Sequence, residues 1–208
     1  MTSWTSVLDT LPLVAILRGL EPEEAEAVGE VLVEAGFSCL EVPLNSPRPL
    51  ESIRRLRAVL GDRAIVGAGT VLSASAVHDV AQAGGQIIIS PNCNVEVIGA
   101  AKAAGLVSFP AFFTATEAFA AIDAGADALK LFPAETAGPA TLKALKAVLP
   151  PDMPVFPVGG VEPGNLAVWR AAGADGFGLG SALFKPGHAL ARIDTAARAF
   201  VAAWRAAA

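Results

Sequence analysis

Short apolar runs alternate with amphipathic segments along the whole chain. The runs LPLVAIL (11–17), RAIVGAG (63–69) and MPVFPVG (153–159) are bounded by polar or turn residues, which is typical of buried strands. The segments PEEAEAVGEVLVEA (22–35) and PLESIRRLRAVL (49–60) carry apolar residues at intervals of three and four, which predicts amphipathic helices. The pattern therefore predicts an α/β protein in which strands and helices follow one another in turn.

One signature recurs along this pattern: a helix that ends in Ala-Gly, followed by a short apolar strand. The glycine provides the left-handed residue that ends a helix before the chain turns into a strand. The five copies are EAGFSCLEV (34–42), QAGGQIIIS (82–90), AAGLVSFP (103–110), DAGADALKLF (123–132) and AAGADGFGLG (171–180). With the three further strands they make eight units joined by right-handed crossovers, which predicts a (β/α)8 TIM barrel in one domain over residues 1–208. An open doubly wound sheet is the alternative, but eight near-equal units favour closure.

The composition fits strands that are covered on both faces. Hydrophobic residues make up 53% of the 208 residues and charged residues 17%, below the roughly 25% of an average domain. No apolar run reaches the roughly 18 residues that a membrane span needs. The N-terminal segment MTSWTSVLDT lacks the basic start and apolar centre of a signal peptide. We therefore predict a cytoplasmic protein with no membrane partner.

The charge balance excludes some partners. A net charge of −5 and an isoelectric point of about 5.0 argue against nucleic acid, and an anionic substrate would need local positive groups. Two cysteines and two histidines are too few for a disulfide framework or a zinc site. We predict neither a metal nor a cofactor, and Cys39 is interpreted as a small core residue.

Lys130 is the first catalytic candidate. In this fold catalytic side chains lie at the carboxyl ends of the strands, and Lys130 is the only cation within the strand of ADALKLFPAE. Burial among apolar neighbours lowers a lysine pKa, and a neutral amine can attack a carbonyl to form an imine. The alternative is a lysine that extends to the barrel rim or pairs with an acid from another strand.

Glu41 is the matching acid at the end of the second predicted strand. It lies two residues after Cys39, so both side chains face the same side of the strand. In an apolar barrel mouth a glutamate can move protons as a general acid and base. The alternative is a structural ion pair with Lys130 or Arg18.

Two glycine pairs suggest an anion site. VGG (158–160) and GLGS (178–181) follow the last two predicted strands, where barrels of this type commonly bind phosphate through exposed backbone N–H groups. The phosphate-binding candidates are therefore Gly159, Gly160, Gly180 and Ser181. Glycines that only make plain turns are the alternative.

Two further side chains at the same mouth are substrate-binding candidates. Arg18, after the first predicted strand, can hold a carboxylate or hydroxyl group through two hydrogen bonds; a surface arginine is the alternative. Thr70, after the GAG turn, can donate a hydrogen bond to a substrate carboxylate or merely stabilise its own turn. The FFTATE stretch (112–117) predicts only a helix start, with Thr114 as N-cap.

Together the strand-end motifs resemble the class I 2-keto-3-deoxy-6-phosphogluconate (KDPG) aldolase family over about residues 11 to 205. The matching motifs, in chain order, are LEVPLNSP, VGAGTVL, SPN, ALKLFPAE, VGGV and GLGSALF. The resemblance implies a metal-independent, generally trimeric (β/α)8 aldolase. It also implies that Lys130 is the Schiff-base lysine, that Glu41 is the general acid and base, and that Thr70 contacts the pyruvate carboxylate. It places the four phosphate candidates in the phosphate site and Pro91, in SPN, among the substrate-binding residues.

Three positions favour the 6-phosphogalactonate branch of that family over the gluconate branch. Asn45 stands where the gluconate branch usually has arginine, Arg18 follows the first strand, and Val158 replaces a threonine before the strand-seven glycines. The galactonate substrate is the C4 epimer, so a changed set of groups around its C4 hydroxyl is physically sensible. Valine offers that hydroxyl no hydrogen bond, whereas Arg18 offers a donor from another side.

The expected activity is therefore cleavage of a phosphorylated keto-deoxy sugar acid to pyruvate and glyceraldehyde 3-phosphate, by a homotrimer. Three alternatives stay open. The first is aldolase activity on the gluconate epimer or on 4-hydroxy-2-oxoglutarate. The second is isomerase or synthase chemistry without an imine. The third is a non-catalytic barrel that binds sugar phosphates.

Overall fold

The computed structural model describes residues 2–207 and consists of parallel strands surrounded by helices. The strands are β1 (Leu13–Ile16), β2 (Cys39–Pro43), β3 (Ile65–Gly69), β4 (Ile87–Ile89), β5 (Val107–Phe109), β6 (Ala111–Phe112), β7 (Leu129–Leu131), β8 (Val155–Pro157) and β9 (Phe177–Leu179). The helices are α1 (Trp4–Thr10), α2 (Pro22–Ala35), α3 (Pro49–Leu60), α4 (Ala74–Gln82), α5 (Val95–Ala103), α6 (Ala115–Asp123), α7 (Ala134–Lys146), α8 (Leu166–Ala171) and α9 (Leu190–Ala206). Gly61–Arg63 and Pro163–Asn165 form short 3₁₀ helices.

The strands close into a ring. Six of them pair in the order β5-β4-β3-β2-β1-β9 and three in the order β6-β7-β8, all in parallel. A bridge between Val158 and Gly178 joins β8 to β9. On the other side β5 and β6 are one strand position interrupted at Pro110, because proline has no N–H for the ladder. The nine strands thus fill eight positions, and the predicted (β/α)8 barrel is confirmed.

Local sequence signals account for most helix bounds. α2 and α3 coincide with the two segments predicted from periodicity, each beginning at a proline. Gly36 ends α2 in the left-handed conformation, with φ of 111°. The predicted N-cap of α6 is confirmed, since Thr114 and Glu117 form a capping box. α7 begins earlier than the apolar pattern indicates and is kinked at Gly138.

Apolar side chains fill the barrel interior in a cluster separate from the layer under the helices. The interior set comprises Val7, Val14, Cys39, Ile65, Ile87, Ile89, Phe109, Ala128 and Phe156. Cys39 is fully buried there, which confirms its interpretation as a core residue.

Helix α1, which the sequence pattern did not predict, closes the amino end of the barrel. The Trp4 ring centroid lies 5.9 Å from those of Phe109 and Phe156, and the Trp4 indole N–H donates to the Asp127 carbonyl, before β7, over 3.4 Å. Helix α1 therefore covers the amino end of the barrel. None of the helices in residues 2–207 has the length and apolar character to cross a membrane.

Candidate active site

Lys130 is the central residue of β7 and points into the barrel. Its neighbours Leu129 and Leu131 face the helical layer, as the two-residue period of a strand requires. The lysine is 6% exposed, and its Nζ lies 4.8 Å from the centroid of the Phe132 ring. Burial lowers the pKa of Lys130; the Glu41 carboxylate opposes this effect and Arg18 adds to it. The amine is thus biased towards its neutral, nucleophilic form.

Glu41 lies on the inner face of β2 and is 2% exposed. Burial raises its pKa to about 7, against the charges of Lys130 and Arg18 and the nearby N–H of Gly69. The Oε2 atom has no hydrogen-bond partner among the described residues. A Cβ at Gly69 would collide with the carboxylate, so the absence of a side chain there makes room for it. Glu41 can therefore hold or release a proton near neutral pH.

Lys130 and Glu41 influence each other's pKa through their charges, although the described structure shows no ion pair between them. No ion pair within 4.0 Å among residues 2–207 includes Lys130 or Glu41. The structural ion pair considered as the alternative role of Glu41 is therefore not formed, and both groups are left available for a ligand.

A cavity of about 330 Å³ opens beside Lys130 at the carboxyl end of the strands. The candidates from the sequence that line it are Arg18, Lys130, Val158, Gly159, Gly160, Gly180 and Ser181. Glu41, Thr70, Asn45 and Pro91 lie outside its lining. Residues that sequence reasoning missed complete the wall, among them Phe132, Glu162, Phe184, Lys185 and Pro186. Phe132 and Phe184 lie inside the quoted motifs ALKLFPAE and GLGSALF but were assigned no role, whereas Glu162, Lys185 and Pro186 lie outside the quoted motifs.

Gly159, Gly160, Gly180 and Ser181 form one end of the cavity, the glycine end, where the backbone is not covered by large side chains. Gly159 and Gly160 have φ of 108° and 66°, values that glycine adopts without strain. A Cβ at Gly160 would lie 2.8 Å from the Glu135 Cβ, whereas a Cβ at Gly180 would meet nothing within 4 Å. In the described loops the N–H groups of Gly159, Gly160 and Ser181 donate to no backbone carbonyl. Such uncommitted N–H groups can receive an anion.

Arg18 and Asn45 meet at the mouth in the loops after β1 and β2, and β1 is the neighbour of β9. The Arg18 Nη1 donates to the Asn45 Oδ1 over 3.0 Å, and the Gly19 N–H donates to the Ser46 hydroxyl over 2.9 Å. The loops after β1 and β2 are therefore tied together, and the guanidinium keeps further donors free. Both side chains are exposed to solvent.

Thr70 follows β3 in an unusual backbone conformation. Its φ of 56° is left-handed, which is uncommon for a β-branched residue and carries strain. The next residue is fixed on both sides, because the Val71 N–H donates to the Ile89 carbonyl over 3.2 Å and the Ser90 hydroxyl donates to the Val71 carbonyl over 2.8 Å. Pro91 follows, half-buried, after β4. The loops after β3 and β4 thus hold Thr70 in a defined position.

Within residues 2–207, no cluster of three or more histidine, cysteine, aspartate or glutamate residues is suited to hold a metal ion. The chemical groups gathered at the mouth are a buried amine, a buried carboxyl, a guanidinium and a bare glycine backbone. This combination suits the capture of a carbonyl compound that carries an anionic group at its far end.

Comparison with known proteins finds aldolases that are similar to this chain over most of its length. A family model described as KDPG and KHG aldolase matches residues 5–197. The 2-dehydro-3-deoxy-6-phosphogalactonate aldolase of Escherichia coli K12 is 50% identical over 195 residues, 94% of this chain and 95% of its own. A solved structure described as native KDPGal superimposes with a TM-score of 0.93 at 50% identity, covering 95% of this chain and 96% of that one. A designed cage of fused symmetric oligomeric domains also gives 0.93 at 50% identity, covering 95% of this chain and 73% of that one.

Proposed function

The chain belongs to the KDPG and KHG aldolase family, and from this premise we propose that it is the class I aldolase for 2-dehydro-3-deoxy-6-phosphogalactonate. It cleaves this acid reversibly to pyruvate and D-glyceraldehyde 3-phosphate. The observation that carries the proposal is the buried Lys130 amine, which faces the cavity at the barrel mouth and forms no ion pair with any residue of 2–207.

Lys130 serves as the nucleophile in this proposal. Its neutral amine attacks the C2 ketone, and the carbinolamine loses water to give an imine. Burial supports this role because it lowers the pKa of Lys130 and so raises the fraction of free amine. The imine then accepts the electron pair of the C3–C4 bond as that bond breaks, which leaves an enamine of pyruvate.

Glu41 moves the proton that cleavage requires. In the cleavage direction the carboxylate takes the C4 hydroxyl proton, directly or through a water molecule, as the aldehyde forms. Protonation at C3 and hydrolysis of the imine then release pyruvate and free Lys130. A pKa of about 7 supports a group that both accepts and returns a proton near neutral pH.

The remaining candidates hold the two ends and the middle of the substrate. We assign Gly159, Gly160, Gly180 and Ser181 to the phosphate, because their backbone is bare and lines the cavity. Thr70 and Pro91 are assigned to the pyruvyl end. Fixing both ends keeps C3–C4 beside Lys130, an orientation effect that can supply several kcal/mol of the barrier.

Epimer selection is assigned to three groups around C4. Val158 lines the cavity without a hydrogen-bonding group, while Arg18 offers donors and is oriented by Asn45. Rates on the galactonate and gluconate epimers test this assignment, with a higher kcat/KM expected for galactonate. Equal rates would favour an aldolase without epimer preference.

Reductive trapping tests the imine. The protein is incubated with pyruvate and borohydride, digested, and examined by mass spectrometry, with Lys130→Met as the matched control. We expect one reduced pyruvate adduct, confined to the Lys130 peptide and absent from the variant. A folded protein that gives no adduct, or a variant that retains turnover, would exclude the imine mechanism and favour imine-free or binding-only alternatives.

We further propose that the protein is a homotrimer. The number of subunits rests on the family resemblance. An interface is supported by large apolar side chains, each 40–55% exposed, in the segments that follow the neighbouring strands β3, β4 and β5–β6: Leu72, Val95, Phe113 and Phe119. Sedimentation should give three times the chain mass. Phe113→Asp should dissociate the assembly, whereas Val148→Asp, on a residue 58% exposed elsewhere, should not; a monomeric parent protein would contradict the proposal. The cytoplasmic location stays a prediction.

A further inference from the structure

Lys185 is a cation of the cavity wall that the reaction above leaves unused. It lies in the loop between β9 and α9 and lines the same cavity as Lys130, Gly160 and Ser181. Its side chain forms no ion pair among residues 2–207 and no hydrogen bond to another described side chain or backbone group. An unpaired lysine at the wall of a ligand cavity is therefore available to a ligand.

The loop that carries Lys185 is fixed at both ends. The N–H groups of Leu183 and Phe184 donate to the Gly180 carbonyl over 2.9 and 3.0 Å, and both of these side chains are buried. On the other side Pro186 packs against Gly19, where an added Cβ would lie 2.6 Å from the Pro186 Cγ. The base of Lys185 is thus held between the glycine end of the cavity and the loop after β1.

Lys185 is the cation of the cavity wall that has no other assigned role. Three cations line the cavity: Arg18, Lys130 and Lys185. Arg18 is assigned to the C4 hydroxyl and Lys130 forms the imine, so Lys185 is the cation left for the phosphate.

Two carboxylate groups lie near the glycine end of the cavity. Glu162 lines the cavity, and a Cβ at Gly160 would lie 2.9 Å from a Glu135 carboxylate oxygen. Backbone N–H groups alone would have to hold a phosphate dianion against these carboxylates and a net chain charge of −5.

We propose that Lys185 is a further substrate-binding residue, whose ammonium group pairs with the phosphate of the substrate at the glycine end of the cavity. The inference rests on the proposed aldolase function and deepens it. Lys185 touches only the unreactive end, so it contributes to binding and to the preference for phosphorylated over unphosphorylated keto-deoxy sugar acids, while the chemistry at C3–C4 is unchanged.

The test compares Lys185→Met with Lys143→Met. Lys143 is an exposed lysine of α7 that does not line the cavity and forms no ion pair with other described residues. Losing one charged contact to phosphate should raise KM for the phosphorylated acid about tenfold or more, with kcat within about twofold. The inhibition constant of inorganic phosphate should rise in parallel. Cleavage of the unphosphorylated acid should not change, and Lys185→Arg should restore most of the loss.

Three results would overturn the inference: an unchanged KM for the phosphorylated acid, equal losses on both acids, or a KM that also rises in Lys143→Met. Reductive trapping with pyruvate alone separates this failure from failure of the proposed function. If the parent protein and Lys185→Met both form the Lys130 adduct but KM is unaltered, only the role of Lys185 is wrong. If the parent protein forms no adduct, the aldolase proposal itself has failed.

Discussion

Replacing Glu41 by glutamine should make the protein more stable at alkaline pH while removing its proton-transfer group. The folded protein holds the pKa of Glu41 at about 7, against 4.5 for an unperturbed glutamate. Between these two values the folded state binds a proton that the unfolded state has lost. Stability therefore falls as pH rises through this window, because the unfolded state binds fewer protons than the folded one.

The magnitude follows from the separation of the two values. At about 1.4 kcal/mol per pH unit, the buried carboxylate destabilises the fold by about 3 kcal/mol at pH 8 and by about 1 kcal/mol at pH 5.5. Glu41→Gln keeps the shape of the side chain and removes the charge. The variant should therefore exceed the parent protein in free energy of unfolding by about 3 kcal/mol at pH 8, and the gain should shrink towards pH 5.5.

Urea unfolding followed by tryptophan fluorescence, at a fixed protein concentration, measures both proteins across this pH range. Glu26→Gln is the matched control, since Glu26 is exposed on α2 and forms no ion pair with other described residues. The control should leave the stability within about 0.5 kcal/mol of the parent at every pH. A Glu41→Gln variant that is no more stable at pH 8, or a gain that does not change with pH, would refute the reasoning.

Three further predictions concern activity and packing. In the parent enzyme kcat/KM should rise with pH through about 7, because Glu41 must be ionised to take a proton; a flat profile in this range would contradict that role. Gly69→Ala should lower kcat about a hundredfold by displacing the Glu41 carboxylate, while Gly99→Ala, where an added Cβ meets nothing within 4 Å, should leave kcat unchanged. Trp4→Ala should lower the free energy of unfolding by about 2 kcal/mol or more, because Trp4 packs against the barrel interior. Val168→Ala, on an exposed residue, is the control. If the two substitutions lower the free energy of unfolding equally, packing of α1 on the barrel has no structural role.

Structural features that depend on residues within about ten positions of one another could be predicted from the sequence. The periodicity of α2 and α3, their N-terminal prolines and the Ala-Gly turns all act through local backbone geometry, so the order of strands and helices could be read from them. Lys130 and the strand-end glycines could be selected as candidates because the barrel rule gathers all strand ends at one mouth. Their presence along one cavity wall agrees with that rule.

The parts that could not be predicted depend on residues far apart in sequence. α1 is short and carries no strong pattern; its position becomes clear only when Phe109 and Phe156 form the floor on which Trp4 packs. Pro110 divides one strand position in two, although the apolar run across it looks continuous. The observed helix α7 begins earlier than the apolar pattern predicts, because a kink at Gly138 joins a preceding helical turn to the predicted helix.

The sequence alone thus determined the fold class and the kinds of chemical group at the strand ends, since both follow from local periodicity and residue type. Only the tertiary structure decided that Lys130 and Glu41 are buried without an ion pair to another described residue, and that Lys185 lines the same cavity as Arg18. The physical reason is that burial, pKa and charge balance depend on the groups that surround an atom in space. Closure of the barrel brings those groups together from positions more than 150 residues apart.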